Sequence, residues 1–189
     1  MPMSPRIYSS NLNCTNTPGR IMLIGCGGSG KTTLSKKVKT ITNLPLVHLD
    51  KAYWLPNWTE PSKEDWTRKV TLLASEEKWI LEGNYSGTFP IRLKRADLVI
   101  WLDTPMPICL WRAIKRSIIN FGKLRPDIGS GCREKLSIEF FFYIFKFPWV
   151  GRKRLIKRLA ASPFDFEVIQ LKDKREANQF LNDLKRKIH

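Results

Sequence analysis

The sequence predicts an α/β fold, a five-stranded parallel sheet with helices on both faces. Three observations predict it. Short apolar runs at residues 21–24, 46–49, 79–81, 98–102 and 166–171 lack polar alternation, the pattern of strands covered on both sides. Segments with apolar residues at helical spacing lie between them, and such alternation gives right-handed parallel crossovers. The first run leads straight into residues 25–32, which match GxxxxGK[ST] and precede a helix.

Residues 1–19 are rich in Ser, Asn, Thr and Pro and contain no apolar core segment. They read as a flexible extension rather than a secretory signal. One domain is expected over 20–189, with a lid insertion at roughly 117–158. After the first strand, the glycine-rich turn can aim successive backbone N–H groups at a phosphate, and the following helix adds its positive dipole end. Gly25, Cys26, Gly27, Gly28, Ser29, Gly30, Lys31, Thr32 and Thr33 are therefore the candidate triphosphate (ATP) cradle. Lys31 supplies a full charge to the β- and γ-phosphates, and the Thr32 hydroxyl is placed for Mg2+. A dinucleotide fingerprint overlaps the same stretch at Gly25, Gly27 and Gly30, with Asp50 where a ribose-binding acid would sit. Lys31 and Thr32 separate the two readings, because a triphosphate with Mg2+ needs them and a dinucleotide does not. A chain of 189 residues also leaves little room for a separate catalytic domain.

The first helix, residues 31–42, carries Leu34, Val38 and Ile41 on one stripe, and the second strand ends at Asp50. Ser62 with Asp65 forms a capping box for a helix that turns Trp66, Val70 and Leu73 inward. Glu82-Gly83-Asn84 closes the third strand. Asp103 follows the fourth strand, and a helix from about residue 107 bears Trp111, Ile114 and Ile118. After the fifth strand, Asp173 and Glu176 cap a last helix carrying Ala177, Phe180, Leu184 and Ile188.

Ligands of such sheets bind beyond the carboxyl ends of the strands, which is where Asp50, Glu82 and Asp103 fall. Phosphoryl transfer needs charge neutralisation and alignment more than a strong base. Glu82 and Asp103 are candidates to hold Mg2+ or its waters, and Asp50 to orient an acceptor hydroxyl. The alternative for each acid is a helix cap or a lysine partner.

The formal charge is +16, concentrated at residues 110–158, where thirteen Lys and Arg face three acids. That field attracts polyanions: nucleotides, nucleic acid or acidic membranes. Arg112 and Arg116 are four apart on a predicted helix and can reach one polyphosphate from one face. The basic run after them suits a lid closing over ATP; Arg152, Arg154 and Arg158 are candidates of lesser weight. The aromatic stretch 140–147 reads as a helix face on the core or a base-stacking platform. Trp54 and Trp58 lie in a loop, as acceptor contacts or as a plug into the core. The four cysteines include no CxxC pair, and His48 and His189 offer no partner for zinc. This composition points to the cytoplasm, without structural metal. The most apolar late stretch, 138–150, is too short and too charged to span a bilayer.

Taken together, these residues resemble the adenylate-kinase-like branch of P-loop kinases, and within it the DNA topology modulation proteins. The resemblance rests on residues 25–33, His48-Leu49-Asp50-Lys51 with Trp54 and Pro56-Asn57-Trp58, and residues 79–85. It continues through Arg92-Leu93, Arg95-Ala96-Asp97, Leu110-Trp111-Arg112 with Lys115-Arg116, Arg125-Pro126-Asp127, and Gly131-Cys132 with Glu134-Lys135-Leu136. It implies a nucleoside-kinase-like core, an acceptor region after Asp50 and a basic helical lid after Arg116. It further implies ATP and Mg2+ as cofactors and a small-molecule acceptor, with Lys31, Asp50, Arg112 and Arg116 catalytic. Thr32 and Glu82 would hold Mg2+, and Asp50, Arg92 and Asn84 would face the acceptor. Two departures stand out. Ser86 occupies the place of an arginine that contacts the acceptor phosphate, leaving Arg92 as its substitute, and the acid after the third strand is Glu82 rather than Asp. The family name suggests an effect on DNA, so a nucleotide-dependent DNA-binding protein with weak ATPase activity is the alternative. Nothing in the chain resembles a topoisomerase tyrosine site.

Overall fold

The computed structural model describes residues 7–9 and 17–188. Six parallel strands form one sheet: β1 (Ile7–Ser9), β2 (Arg20–Gly25), β3 (Leu46–His48), β4 (Trp79–Glu82), β5 (Leu98–Leu102) and β6 (Glu167–Leu171), in the order β1-β6-β5-β2-β4-β3. Five of them are the strands read from the apolar runs. The sixth is an addition: within the segment expected to be a flexible extension, Ile7–Ser9 pairs with Val168, Ile169 and Gln170 at the sheet edge. The rest of residues 1–16 lies outside the described residues.

β2 is central, paired with β4 on one side and β5 on the other. Its side chains alternate between two cores. Met22 and Ile24 join Trp79, Leu81, Val99, Trp101 and Val168 on one face. Ile21 and Leu23 join Ile80, Ile100, Leu102 and Ile169 on the other. Every residue from Ile21 to Ile24 is fully buried, which explains why the run reads as continuously apolar.

Helices α1 (Lys31–Thr42) and α8 (Lys174–Ile188) cover the second face, through Leu34 and Val38 of α1 and Phe180 and Leu184 of α8. On the first face lie α2 (Leu49–Tyr53), α3 (Lys63–Ser75), α4 (Phe89–Leu93), α5 (Met106–Ile119), α6 (Ile138–Lys146) and α7 (Gly151–Ala160). Local signals set the ends of two of these helices. Ser62 Oγ accepts from the Asp65 amide at 3.0 Å to start α3. At α8, Asp173 Oδ1 accepts from the Glu176 amide at 2.8 Å while Glu176 Oε2 accepts from the Lys172 amide at 2.7 Å, a reciprocal cap. In α3 the inward positions are Trp66, Val70 and Ala74, with Leu73 half-buried.

Two boundaries differ from the sequence expectation. β3 stops at His48, and Leu49 begins the short α2, so Asp50 sits in the first turn of a helix. The lid segment is not continuously helical either. Between α5 and α6, residues 120–137 make an excursion closed by an antiparallel bridge between Leu124 and Arg133. This excursion packs on the loop after α2: Cys132 Sγ donates to the Leu55 carbonyl at 3.1 Å, and a Cβ on Gly129 would stand 1.9 Å from the Trp54 carbonyl oxygen. Among the described residues no helix is long and apolar enough to cross a membrane.

Candidate active site

The glycine-rich loop turns where β2 ends. Gly25, Gly28 and Gly30 have φ of 145°, 78° and 102°, a region open to glycine. Space demands glycine as well. A Cβ on Gly25 would meet the Leu102 carbonyl oxygen at 2.4 Å, and one on Gly28 the Cys109 carbonyl oxygen of α5 at 2.2 Å. Gly30 caps α1 without any side-chain acceptor, so the first amides of α1 keep their donors for an anion. Lys31 Nζ donates to the carbonyls of Gly25 at 3.1 Å and Cys26 at 2.9 Å. An ammonium has three protons, so two brace the loop and one remains to donate elsewhere.

Beside Lys31, Thr32 Oγ1 donates to Glu82 Oε2 at 3.4 Å. Glu82 ends β4 and is almost fully buried, and the same oxygen is 2.7 Å from His48 Nδ1. The β3–β4 register sets His48 opposite Glu82. Sequence reasoning missed this histidine as a site residue, because its partner comes from strand pairing and not from spacing along the chain.

Asp50 follows on α2, where its Oδ1 accepts from the Tyr85 hydroxyl at 2.7 Å. Burial and the nearby Glu82 carboxylate push the Asp50 carboxyl above the usual Asp range, against the Tyr85 bond and the charge of Lys31. Burial and Asp50 in turn push the Tyr85 hydroxyl up.

Lys31, Thr32, Asp50, Glu82, Arg112 and Arg116 all line one cavity of about 410 Å³. Arg112 Nη1 reaches the Ser29 carbonyl at 3.4 Å. Arg116 stands 5.8 Å over the Phe140 ring, and its guanidinium is held below the usual arginine value by burial and then by the neighbouring Arg125. Arg125 itself is held by Asp127 and by Glu134 Oε2, the latter at 2.7 Å, while Glu134 also accepts from Ser117 Oγ at 2.9 Å. That frame forms part of the wall of the same cavity. A second cavity, about 560 Å³, shares Gly30, Thr33 and Arg112 with the first and extends between Ile108 of α5 and residues 172–174 at the start of α8.

Two sequence expectations need correction, and a third residue is settled between its two readings. Asn84 does not line the cavity: its Oδ1 accepts from the Gly25 amide at 2.9 Å and its Nδ2 donates to the Tyr143 hydroxyl at 3.1 Å, so it braces the loop from below. Arg92 has no exposure at all. Its guanidinium donates to the carbonyls of Gly83 and Tyr85, each at 3.0 Å, and to that of Asn84, and burial lowers its pKa to about 9, still charged at neutral pH. It pins the turn after β4 instead of reaching an acceptor phosphate. Asp103, read either as a Mg2+ candidate or as a structural acid, takes the structural role: it does not line the cavity and binds Arg152 of α7 through both oxygens, Nε at 3.0 Å to each, with Gln170 Nε2 at 2.6 Å. It ties α7 to the sheet, and Arg152 also lies 5.3 Å over the Trp101 ring.

The oxygen donors Thr32 and Glu82 suit a hard cation, and Mg2+ in phosphoryl-transfer sites takes one or two protein oxygens with phosphates and water completing its shell. A cage of three or more His, Cys, Asp or Glu side chains is absent among the described residues, and such a metal does not require one.

The fold has solved counterparts. A shikimate kinase from Acinetobacter baumannii, solved in complex with shikimate, is 15% identical, with 89% of this chain and 91% of that one aligned at a TM-score of 0.52. A shikimate kinase from Bacteroides thetaiotaomicron is 16% identical over 89% of this chain and 97% of that one, also at 0.52. A gluconokinase from Sinorhizobium meliloti 1021 is 12% identical over 90% and 93%, at 0.50. No family model and no curated protein matches the sequence. At these identities the likeness defines the fold: that of the P-loop NTPases, as built in shikimate kinase and gluconokinase.

Proposed function

We propose that this protein is an ATP- and Mg2+-dependent phosphotransferase that acts on a small hydroxylated acceptor in the cytoplasm. The observation carrying the proposal is the convergence of Lys31, Thr32, Glu82, Asp50 and Arg116 on one cavity from four separate segments of chain. The triphosphate tail lies in the loop from Gly25 to Thr33, and the base and sugar extend into the adjoining cavity beside Ile108 and residues 172–174. Mg2+, held by Thr32 and Glu82, neutralises phosphate charge when bound. His48 orients the Glu82 carboxylate through its 2.7 Å contact. Asp50 accepts the acceptor hydroxyl proton as the acceptor oxygen bonds to the γ-phosphorus and the bond to the β–γ bridging oxygen breaks, releasing ADP. Lys31 and Arg116 carry the charge that develops in transfer, with Arg112 closing over the donor side.

Mg-ATP at a hundredfold excess over its dissociation constant is expected to add about 2.7 kcal/mol of folding stability. Lys31→Ala removes that gain and the phosphate transfer with it. Full ATP stabilisation of the variant, read by thermal or urea denaturation, rules out the role given to Lys31. A screen of ATP consumption against nucleosides, nucleotides and small hydroxylated metabolites then identifies the acceptor.

DNA binding through the basic helices is the second reading, favoured by the positive charge of residues 110–158. It ranks lower because Arg112 and Arg116 line the nucleotide cavity and Arg125 is committed to Asp127 and Glu134. DNA binding through six or more of these cations loses about 10³-fold in affinity between 50 and 200 mM salt; Mg-ATP binding changes far less.

A further inference from the structure

α6 is an amphipathic helix whose apolar residues face both ways. Ile144 and Phe147 turn inward to the core. On the opposite side Ile138, Phe142, Phe145 and Trp149, spaced i, i+4, i+7 and i+11, form a second stripe that no element among the described residues covers: they are 79%, 53%, 46% and 55% exposed. The stripe is ordered by its own contacts. The Phe142 and Phe145 rings stack with centroids 6.5 Å apart and 11° between planes, and Phe145 and Trp149 are 5.6 Å apart. α5 packs on α6 and shows a similar stripe at Trp111, Ile118 and Ile119, again more than half exposed. Exposed apolar surface on this scale marks an interaction site.

The charge around the stripe indicates the partner. Lys146 sits 4.2 Å over the Phe142 ring, and Lys153, Arg154 and Lys157 are exposed on α7 just beyond Trp149. Of the three acids in residues 110–158, Asp127 and Glu134 are consumed by Arg125, leaving Glu139 to offset the outer cations. A second copy of a chain carrying +16 would meet this face with like charge. Nucleic acid matches the charge and not the rest, because Ile118, Ile119, Ile138 and Val150 have no ring to stack on a base, and Phe142 and Phe145 stack on each other. An anionic bilayer surface matches both: lipid headgroups meet the lysines and arginines while the rings and aliphatic side chains enter the acyl boundary. We propose that the exposed face of α5 and α6, rimmed by the basic residues of α7, docks the protein peripherally on an anionic membrane surface.

The test is flotation of the full chain with vesicles of about 30% phosphatidylserine in phosphatidylcholine, against phosphatidylcholine alone. Recovery with the anionic vesicles and not the neutral ones is expected. Phe142→Ser with Phe145→Ser lowers the bound fraction by about tenfold or more through lost apolar insertion. Lys153→Glu with Lys157→Glu does so through reversed charge. Brominated acyl chains should quench the wild-type protein more than Trp149→Phe. Both double variants keep their ATP-induced stabilisation, because none of these residues lines the nucleotide cavity, so failure of the membrane proposal and of the kinase reading are distinguishable. Equal recovery with neutral vesicles, unchanged recovery of both variants, or sedimentation as a dimer that the Phe142→Ser/Phe145→Ser variant abolishes would each overturn the proposal. So would displacement of bound protein by a short DNA duplex together with no loss in the phenylalanine variant.

Discussion

The neighbourhood of residues 25–33 and that of α6–α7 hold their charged and aromatic groups in opposite ways. Around the phosphate loop five polar side chains are tied in place by buried bonds: Lys31 to the loop carbonyls, Thr32 to Glu82, Glu82 to His48, Asp50 to Tyr85 and Arg92 to the turn after β4. Along α6 and α7 the outer aromatics stack on one another and Lys146, Lys153, Arg154 and Lys157 face solvent, while Arg152 anchors the unit through Asp103. A site that must stabilise transition-state charge requires groups oriented before the substrate arrives, and buried cross-element bonds achieve this. A docking surface requires accessible area instead, and side chains presented on a helix provide it.

Breaking the first region at its chemical centre has the largest expected effect. Asp50→Asn lowers kcat by about 10²- to 10⁴-fold, the usual worth of a positioned proton acceptor, with Mg-ATP stabilisation retained. The same variant sharpens the view of the site as strained. Because the folded chain holds the Asp50 pKa above its unfolded value, ionising this group opposes folding. The penalty is absent below the unfolded pKa of about 3.9, grows as pH rises towards the folded pKa, and is complete above it. Asp50→Asn therefore raises Tm at neutral pH and leaves it unchanged near pH 3, as read by thermal denaturation across pH. The acid limb of wild-type kcat/KM should correspondingly lie above the ordinary carboxylate range.

Next in size is Arg92→Met, which strands the carbonyls of Gly83, Asn84 and Tyr85 in the interior and costs about 3 kcal/mol or more by urea denaturation. A normally stable variant with a raised acceptor KM would restore Arg92 to the acceptor site. The smallest effect belongs to the tie between the two regions. Asp103→Asn weakens the grip on Arg152 and costs about 1 kcal/mol, with faster amide exchange in α7 than in α1. Equal exchange in both helices would mean that α7 is held by Leu155 and Leu159 alone.

Much of this architecture was legible because its signals are local. The five apolar runs mark strands whose two faces are both covered, and the caps at Ser62 and Asp173 mark helix starts with side chains a few residues apart. Residues 25–33 read as a phosphate cradle because the glycines, Lys31 and Thr32 lie within one short stretch of chain, and the bend they predict is local. Asn84 and Arg92 were misplaced for the converse reason. Asn84 follows a strand and Arg92 lies on α4, where chain position and the family resemblance point to the site, but their partners, the Gly25 amide and the Gly83–Tyr85 carbonyls, are set by packing. Ile7–Ser9 escaped notice as a strand because three residues carry too little pattern, and pairing with β6 is what orders them.

By itself the sequence determined the strand and helix segments, the glycine-rich turn and the unequal spread of charge, since each depends on neighbours a few residues apart. Only the tertiary structure decided that His48 meets Glu82, that Tyr85 meets Asp50, that Arg92 is sealed beneath the turn, and that the stripe at Ile138, Phe142, Phe145 and Trp149 faces outward. Those outcomes follow from strand order and helix packing, in which residues tens of positions apart compete for the same interior space.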